Sequence, residues 1–442
     1  MHYPWPALRR HLHPFLLLGV IVLAAALRFY DLNWDQSQYN HPDERHVTNV
    51  ITALRLPASL SEYLDPTASP LNPYNNQQSW VYGTLPLFTG RAVAEFLDQG
   101  CAPDDALVPR LLGRLLFGPA AEGCARGFFT GYEHIRLVGR LLSALADTIT
   151  VLVVYLTARR LFGWRAGLLA ATFNAFAVLQ IQHSKFFVVE STLTMCVAWC
   201  LYFCARLVTQ PVQNSRQASA LLGDAALAGL FSGLAVASKI SAWPTAALIV
   251  LSVVVALVRD RRSPAPALLT ALAAVAIAGL SAFTSFRLMQ PYGFVGGSAV
   301  EWAYTVRDCE ALADPTHYQT CLRTPPLPDP LASVVERLPA FARPILAPSA
   351  RWVAELRSAA AQSTGTADPP WGWQWAGRLP VIFPLINIVF YGLGVPLGIA
   401  ALAGAFYMLA QLWRGRRWYA YVVPVVWIFG FFLYQGTQFV KS

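Results

Sequence analysis

Residues 137–158 read LVGRLLSALADTITVLVVYLTA and are followed at once by Arg159 and Arg160. A transmembrane helix requires about 20 consecutive, mainly apolar residues, so this stretch predicts a membrane-spanning helix that ends at a basic pair. Eight more apolar runs predict an all-α polytopic membrane protein with about nine transmembrane helices. In chain order the nine runs are 14–30, 137–158, 166–182, 189–206, 220–238, 240–258, 267–287, 380–409 and 418–436.

The composition agrees with a membrane-embedded chain. Of its 442 residues, 55% are hydrophobic and only 13% are charged, whereas a soluble domain carries about 25% charged residues. The net charge is +9, but only three of the 33 basic residues are lysines (Lys185, Lys239 and Lys441), and many arginines lie where apolar runs end. This distribution disfavours a soluble protein and indicates orientation in a bilayer rather than a nucleic-acid-binding patch.

The arginines also predict how the chain is oriented. With a cytoplasmic N-terminus, the cytoplasmic side collects thirteen arginines against one clear carboxylate, Asp260, in agreement with the positive-inside rule. We therefore expect a multi-pass protein of the plasma (inner) membrane. The thirteen cytoplasmic arginines are Arg9, Arg10, Arg159, Arg160, Arg165, Arg206, Arg216, Arg259, Arg261, Arg262, Arg414, Arg416 and Arg417.

The first apolar run is either a cleaved signal peptide or an uncleaved anchor, and the anchor is preferred because the run continues through Phe29 and Tyr30.

Two long loops, 31–136 and 288–379, then lie on the extracytoplasmic side. They hold 20 of the 24 acidic residues, 12 in the first loop and 8 in the second, and they are too long to be simple connections. The expected organisation is a transmembrane core over 1–287 that contains the first loop, then the second loop, then a C-terminal transmembrane pair over 380–442.

The cysteines follow the same topology. Four of them fall in the two extracytoplasmic loops: Cys101, Cys124, Cys309 and Cys321. An oxidising compartment permits disulfides, and proximity within each loop predicts the pairs 101–124 and 309–321. The other three share one face of a span: Cys196, Cys200 and Cys204. They are either small packing residues, which we prefer, or metal ligands that have no His or carboxylate nearby.

The strongest catalytic candidate is the adjacent pair Asp43 and Glu44, which follows the first apolar run within HPDER at 41–45. Adjacent carboxylates repel, which is expected to leave the pair able to take a proton. The alternative is a solvated acidic loop. His41 and His183, together with Asp43, form a weak candidate set of ligands for a divalent metal ion, and the chain has no phosphate-binding loop or metalloprotease motif.

Several charged residues lie at the extracytoplasmic ends of spans, where a charge is costly and often functional. Lys185 and Glu190 flank consecutive spans, so they either meet as a salt bridge or have separate roles. Lys239 either snorkels to headgroups or recognises a phosphate. Arg140 faces the predicted headgroup layer and suits a lipid phosphate. Asp147, two turns deeper, is expected to bond neighbouring helices.

A series of short motifs occurs in a fixed order along residues 14–260. They are LRFYD (27–31), HPDE (41–44), YGTLPL (82–87), RLLSAL (140–145), ARRLFG (158–163), the acidic Glu190 and GLAVASK (233–239). In their order along the chain, and in the side of the membrane on which each is predicted to lie, these motifs resemble those of the polyprenol-phosphate-dependent glycosyltransferases of the GT-C class. This class includes protein O-mannosyltransferases and aminoarabinose transferases. Glu190 stands where many of these enzymes have aspartate.

The resemblance implies transfer of a sugar from an isoprenoid-phosphate donor to a glycan, lipid or protein acceptor on the outer face. It assigns Asp43 as the base that takes the acceptor proton, and Glu44 as a residue that positions the acceptor or shares the proton. These enzymes mostly invert the anomeric centre in a single displacement. The resemblance also assigns Arg140 and Lys239 to the lipid phosphate. From its position, Lys185 is a further candidate for the lipid phosphate, and His41 and Glu190 are candidates for binding substrate.

Two other functions stay open. A transporter or lipid flippase would be expected to show inverted repeats and broken helices near the membrane centre, and the sequence reveals neither. A non-catalytic subunit of a larger membrane assembly would fit a chain that ends soon after its ninth apolar run, because the enzymes it resembles usually continue with further spans.

Overall fold

The structure is a computed structural model that describes residues 5–76, 79–101, 106–367, 369–415 and 417–440. The first twelve α-helices are α1 (Trp5–Phe29), α2 (Pro42–Ala53), α3 (Leu60–Leu64), α4 (Leu85–Asp98), α5 (Leu107–Phe117), α6 (Tyr132–Phe162), α7 (Trp164–Ala175), α8 (Val178–Ser184), α9 (Val189–Thr209), α10 (Ser215–Val236), α11 (Pro244–Val258) and α12 (Pro264–Met289). The remaining nine are α13 (Ala299–Val306), α14 (Pro315–Arg323), α15 (Asp329–Glu336), α16 (Arg343–Leu346), α17 (Ala350–Thr364), α18 (Ile382–Ile386), α19 (Val395–Trp413), α20 (Trp418–Val425) and α21 (Phe432–Gly436).

Among the described residues, seven helical segments are long and apolar enough to cross a membrane. They are Tyr132–Phe162, Val189–Thr209, Ser215–Val236, Ile240–Val258, Pro264–Met289, Val395–Trp413 and Trp418–Gly436. Two shorter apolar helices, His13–Phe29 and Ile382–Gly392, add to them. The described residues form helices and turns and no strand, so the predicted all-helical, polytopic membrane fold is confirmed.

Two of the nine predicted spans are not continuous helices. The run 166–182 divides into α7 and α8. The run 380–409 divides at Gly394, which has a φ of +82° that favours glycine, with Pro396 in the first turn of α19. The prediction of one continuous span over 380–409 was wrong, because the chain turns at Gly394 and a new helix begins at Val395.

The chain folds into two compact units. Unit one comprises residues 1–34, 140–285 and 377–442, and unit two comprises 35–139 and 286–376. Unit one contains most of the apolar helices, and unit two contains most of both predicted extracytoplasmic loops. The two loops therefore belong to one folded body rather than to separate segments.

Unit one packs around α9, α10 and α11. Its main core contains Cys200, Phe203 and Cys204, and the thiol of Cys196 is also buried. The cysteines thus lie among apolar side chains, as expected of packing residues. On α10, a Cβ added at Gly229 would overlap the carbonyl oxygen of Ala278 on α12, so glycine here allows the two helices to approach closely.

Unit two is held together by covalent and polar links. Disulfides join Cys101 to Cys124 and Cys309 to Cys321, and both are the local pairs predicted from the sequence. The YGTLPL segment at 82–87 leads into α4, and the backbone N–H and the hydroxyl of Thr84 both donate to Oε1 of Gln290 at 2.8 Å. These bonds tie the first loop to the beginning of the second.

Candidate functional site

The predicted site residues divide between the two units. Unit one holds Arg140, Lys185, Glu190 and Lys239, and unit two holds His41, Asp43 and Glu44. Each group has its own surroundings.

A small pocket in unit one forms where α1 and α8 end. Its volume is about 260 Å³, and it is lined by Tyr30, Asp31, Trp34, Gln182, Lys185 and Phe186. The ammonium of Lys185 donates a hydrogen bond to the carbonyl oxygen of Tyr30 and lies 5.8 Å from the centre of that residue's ring. Because α8 stops at Ser184, the Lys185 side chain follows the end of the helix and is free to turn toward α1.

Arg140, on α6, lies behind two aromatic side chains of the same pocket and is not one of its lining residues. The residue is completely buried, and Nη1 donates to the carbonyl oxygen of Leu32 at 2.7 Å. Its guanidinium carbon lies 5.7 Å from the ring centre of Trp34 and 6.0 Å from that of Phe186, both of which line the pocket. Of the predicted phosphate-binding cations, Lys185 therefore lines the pocket, and Arg140 lies against two of the rings that line it.

Charge balance makes this pocket suitable for an anion. Burial lowers the pKa of Lys185, and the positive charge of Arg140 lowers it further, while Asp31 acts in the opposite direction. Two cations thus face one carboxylate. A phosphate group would add the negative charge that the cluster lacks and would stabilise the charged form of Lys185.

Lys239 and Glu190 form a separate ion pair in unit one. Nζ of Lys239 lies 2.9 Å from Oε1 of Glu190, and the exposed fractions of the two side chains are 30% and 27%. The alternative in which Lys185 pairs with Glu190 is therefore wrong. Lys185 turns toward α1, whereas Glu190, in the first turn of α9, meets the turn that follows α10.

Asp147 has a structural partner. Its Oδ2 accepts a bond of 2.5 Å from Nε of Arg28, and both side chains are buried. Arg28 also donates to the carbonyl oxygens of Asn174 and Ala175 at 3.2 and 3.1 Å. These carbonyls belong to the last turn of α7, so one arginine joins α1 to α6 and satisfies the helix end where the predicted span is broken. The expectation that Asp147 bonds neighbouring helices agrees with this contact.

In unit two, the first turn of α2 gives the adjacent carboxylates different surroundings. His41 is the N-cap residue, and its Nδ1 accepts a bond of 3.4 Å from the backbone N–H of Glu44. Asp43 is exposed, whereas Glu44 is completely buried. Neighbouring helical residues point in different directions, and here one carboxylate faces outward while the other lies on the side that packs against the core with Val47 and Ile51.

Two buried ion pairs in unit two were not found by sequence reasoning. Asp35 accepts from Nη1 of Arg136 at 3.0 Å, with both side chains fully buried. Oε2 of Glu301 lies 2.8 Å from Nη2 of Arg351. Asp35 belongs to no motif, and Glu301 and Arg351 are separated by 50 residues, so only their folded positions identify the pairs.

No metal centre is evident in the described parts of the chain, where no three His, Cys, Asp or Glu side chains are grouped as a metal ion requires. The ring of His41 instead caps α2. The predicted divalent-ion site therefore has no supporting cluster in this structure.

The sequence of residues 132–285 matches the family described as dolichyl-phosphate-mannose-protein mannosyltransferase. The matched segment includes Arg140, Lys185, Glu190 and Lys239. This family match confirms the predicted resemblance to the GT-C class, whose members include polyprenol-phosphate-dependent mannosyltransferases. Asp43 and Glu44 precede the segment.

The comparison with curated proteins gives no match. Among solved structures, the chain is similar to the protein O-mannosyltransferase Pmt1–Pmt2 complex of S. cerevisiae bound to the sugar donor, with 16% identity, a TM-score of 0.43, and coverage of 67% of this chain and 36% of that one. It is also similar to the oligosaccharyltransferase AglB of Archaeoglobus fulgidus in complex with an inhibitory peptide and a dolichol-phosphate, with 14% identity, a TM-score of 0.48, and coverage of 97% and 48%. The chain thus spans less than half the length of either structure.

Proposed function

We propose that the protein is an integral membrane glycosyltransferase that moves a sugar from a polyprenyl-phosphate donor to an acceptor on the extracytoplasmic face. The observation that carries this proposal is a small pocket that Lys185 lines and whose aromatic side chains Trp34 and Phe186 contact Arg140; both cations belong to the segment that matches the mannosyltransferase family. The sugar, and whether the acceptor is a glycan, lipid or protein, are not specified by this observation.

The two cations act on the departing phosphate. When the bond between the anomeric carbon and the phosphate oxygen breaks, the bonding electrons leave with the oxygen, and negative charge grows on the polyprenyl phosphate. Arg140 is held in place by the carbonyl of Leu32 and by aromatic rings, so its positive charge is fixed behind the aromatic side chains of the pocket and stabilises that charge electrostatically. Lys185 supplies a second, more mobile point charge.

Asp43 acts on the acceptor. As the acceptor oxygen attacks the anomeric carbon, Asp43 takes the hydroxyl proton, so the transfer is a single displacement that inverts the anomeric centre. An exposed position at the start of α2 makes Asp43 accessible to an acceptor, and it has no hydrogen bond or ion pair with another described residue. Glu44 is buried beneath it and acts by positioning α2 rather than by touching the acceptor.

The remaining assignments follow from sequence position. Lys239 and Glu190 bind substrate or phosphate as an ion pair. The protein lies in the plasma membrane with a cytoplasmic N-terminus, and the arginine-rich ends of its helices face the cytoplasm. Other membrane subunits are possible partners in such an assembly.

Mass spectrometry of lipids that copurify with the detergent-extracted protein tests the donor site. We expect wild type to retain a polyprenyl phosphate or its glycoside, and Arg140→Ala and Lys185→Ala to lose it. Arg165→Ala, which removes an exposed arginine stacked on Trp164, is the matched control and keeps the lipid. Equal lipid content in all four proteins would refute the phosphate pocket.

Asp43→Asn tests the base. This variant is expected to retain the donor lipid yet lose sugar transfer, because the pocket is untouched while the proton acceptor is gone. Transfer at the wild-type rate would refute the role of Asp43 and favour a non-catalytic subunit.

The break between α7 and α8 favours one second candidate, a transporter, because broken helices are common in transporters. Flux of a polyprenyl-phosphate sugar across proteoliposomes, without any glycosidic product, would support that candidate and contradict the transferase.

A further inference from the structure

Helix α5 of unit two has an unusual outer face. Leu107, Val108, Leu111 and Leu115 are each between 53% and 79% exposed. At 100° per residue these positions fall within an arc of about 100° along one side of the helix. Large apolar side chains normally lie inside a folded domain, so a continuous exposed stripe indicates a partner surface.

The opposite face of α5 is firmly attached to the rest of unit two. Pro109 and Gly113 are buried, and a Cβ on Gly113 would lie 3.2 Å from the ring of Phe129. A Cβ on Gly100 would overlap the backbone of Arg110, and the neighbouring Cys101 is bonded to Cys124. Since α5 cannot rotate without breaking these contacts, the apolar stripe stays directed outward.

Basic residues border the stripe. Arg110 and Arg114 lie along one edge of it, and α5 contains no acidic residue. Together with Arg126 they line a cleft of about 620 Å³ beside the Cys101–Cys124 disulfide. Arg114 also pairs with Glu122, but both side chains are about half exposed, and such a surface pair is weak, worth about 0–1 kcal/mol.

We propose that α5 is an interfacial helix whose leucine stripe enters the lipid bilayer and whose arginine edge binds the phosphates of anionic lipid headgroups. An apolar face with a basic border is the pattern of helices that lie in the membrane interface. A bilayer is the fitting partner because this loop is joined in the chain to membrane-spanning helices, with only 14 residues between Phe117 and Tyr132. Insertion would hold α5 at the membrane surface, where a lipid-linked substrate is presented.

Site-specific fluorescence on the full chain in lipid nanodiscs tests the proposal. A single added cysteine, Leu115→Cys, carries an environment-sensitive fluorophore, and Ser358→Cys, at an exposed position of α17, is the matched control. The three native free thiols are buried, and wild-type protein treated in parallel measures any background labelling. Non-reducing peptide mapping checks that the disulfides are intact.

The label at 115 is expected to emit at shorter wavelength than the label at 358, to be quenched by spin-labelled acyl chains and to be protected from aqueous iodide. Equal iodide quenching at the two positions in nanodiscs would overturn the membrane assignment and indicate a protein partner for the stripe instead.

The arginine edge is tested by lipid composition. With phosphatidylglycerol added to phosphatidylcholine, protection of the label at 115 is expected to increase, and Arg110→Gln combined with Arg114→Gln is expected to remove the increase. If Arg110 and Arg114 are both present and the protection of the label from iodide does not depend on anionic lipid, the assignment of the arginine edge to lipid headgroups is overturned.

Discussion

Replacing Asp147 with asparagine is expected to destabilise unit one strongly. The change keeps the shape of the side chain but removes the negative charge that Arg28 contacts at 2.5 Å. Arg28 retains carbonyl oxygens of Ala24, Asn174 and Ala175 as acceptors, but none of them carries a full charge. The guanidinium would therefore remain buried in an apolar region without a counter-charge.

The magnitude follows from burial. Removing one partner of a fully buried ion pair costs about 3–5 kcal/mol, and the three remaining carbonyl contacts place Asp147→Asn near the lower value, about 3 kcal/mol. By comparison, neutral hydrogen bonds between membrane helices average about 0.6 kcal/mol. The difference between these values separates an ionic contact from a neutral one.

The assay is the free energy of unfolding, measured by reversible denaturation in mixed micelles. Asp224→Asn is the matched control because Asp224 pairs with Arg206, whose side chain is 37% exposed. Water can solvate that arginine, so we expect a loss of about 1 kcal/mol or less. Arg28→Met combined with Asp147→Leu should recover most of the stability lost by the single change. A loss under 1 kcal/mol for Asp147→Asn would refute the reasoning and show that the native contact is a neutral hydrogen bond.

Three further predictions concern other parts of the chain. Because the pKa of Lys185 is lowered, affinity for a polyprenyl phosphate should fall as pH rises through a range below the usual lysine value, and Lys185→Arg should move that fall to higher pH in a lipid-binding titration. Replacing Cys309 and Cys321 by serine opens a loop with a sequence separation of 12 and should lower the free energy of unfolding by about 3 kcal/mol; an unchanged denaturation midpoint would contradict this. Gly229→Ala should cost about 1–3 kcal/mol through overpacking against α12, whereas Gly279→Ala, which has open space around it, should be neutral or stabilising in the same assay.

The membrane fold was largely predictable because it depends on local composition. Runs of about 20 apolar residues must be satisfied by helices within the bilayer, and the described structure places helices on every predicted run. The break at Ala175 was not predictable, since Phe176 and Ala177 are ordinary apolar residues and the stabilising donor is Arg28, far away in sequence.

The candidate site was predictable in residue type but not in pairing. Charged residues at the ends of apolar runs drew attention to Arg140, Lys185 and Glu190; in the structure Lys185 lines a pocket, and Arg140 contacts an aromatic ring of the same pocket. The partner of Glu190 depends on how the turn after α10 meets α9, which no local pattern encodes. Similarly, the sequence shows Asp43 and Glu44 side by side, but only the packing of α2 shows that one is exposed and the other buried.

The scarcity of lysine gives the pocket a chemical reporter. With only three lysines in the chain, amine-acylating reagents have few targets. Lys239 is engaged with Glu190, whereas the lowered pKa of Lys185 increases the fraction of its amine that is neutral and nucleophilic at a given pH. Acylation of Lys185, read from one proteolytic peptide, therefore measures how often the pocket is empty, and a phosphate bound beside it would slow the reaction in proportion to its occupancy.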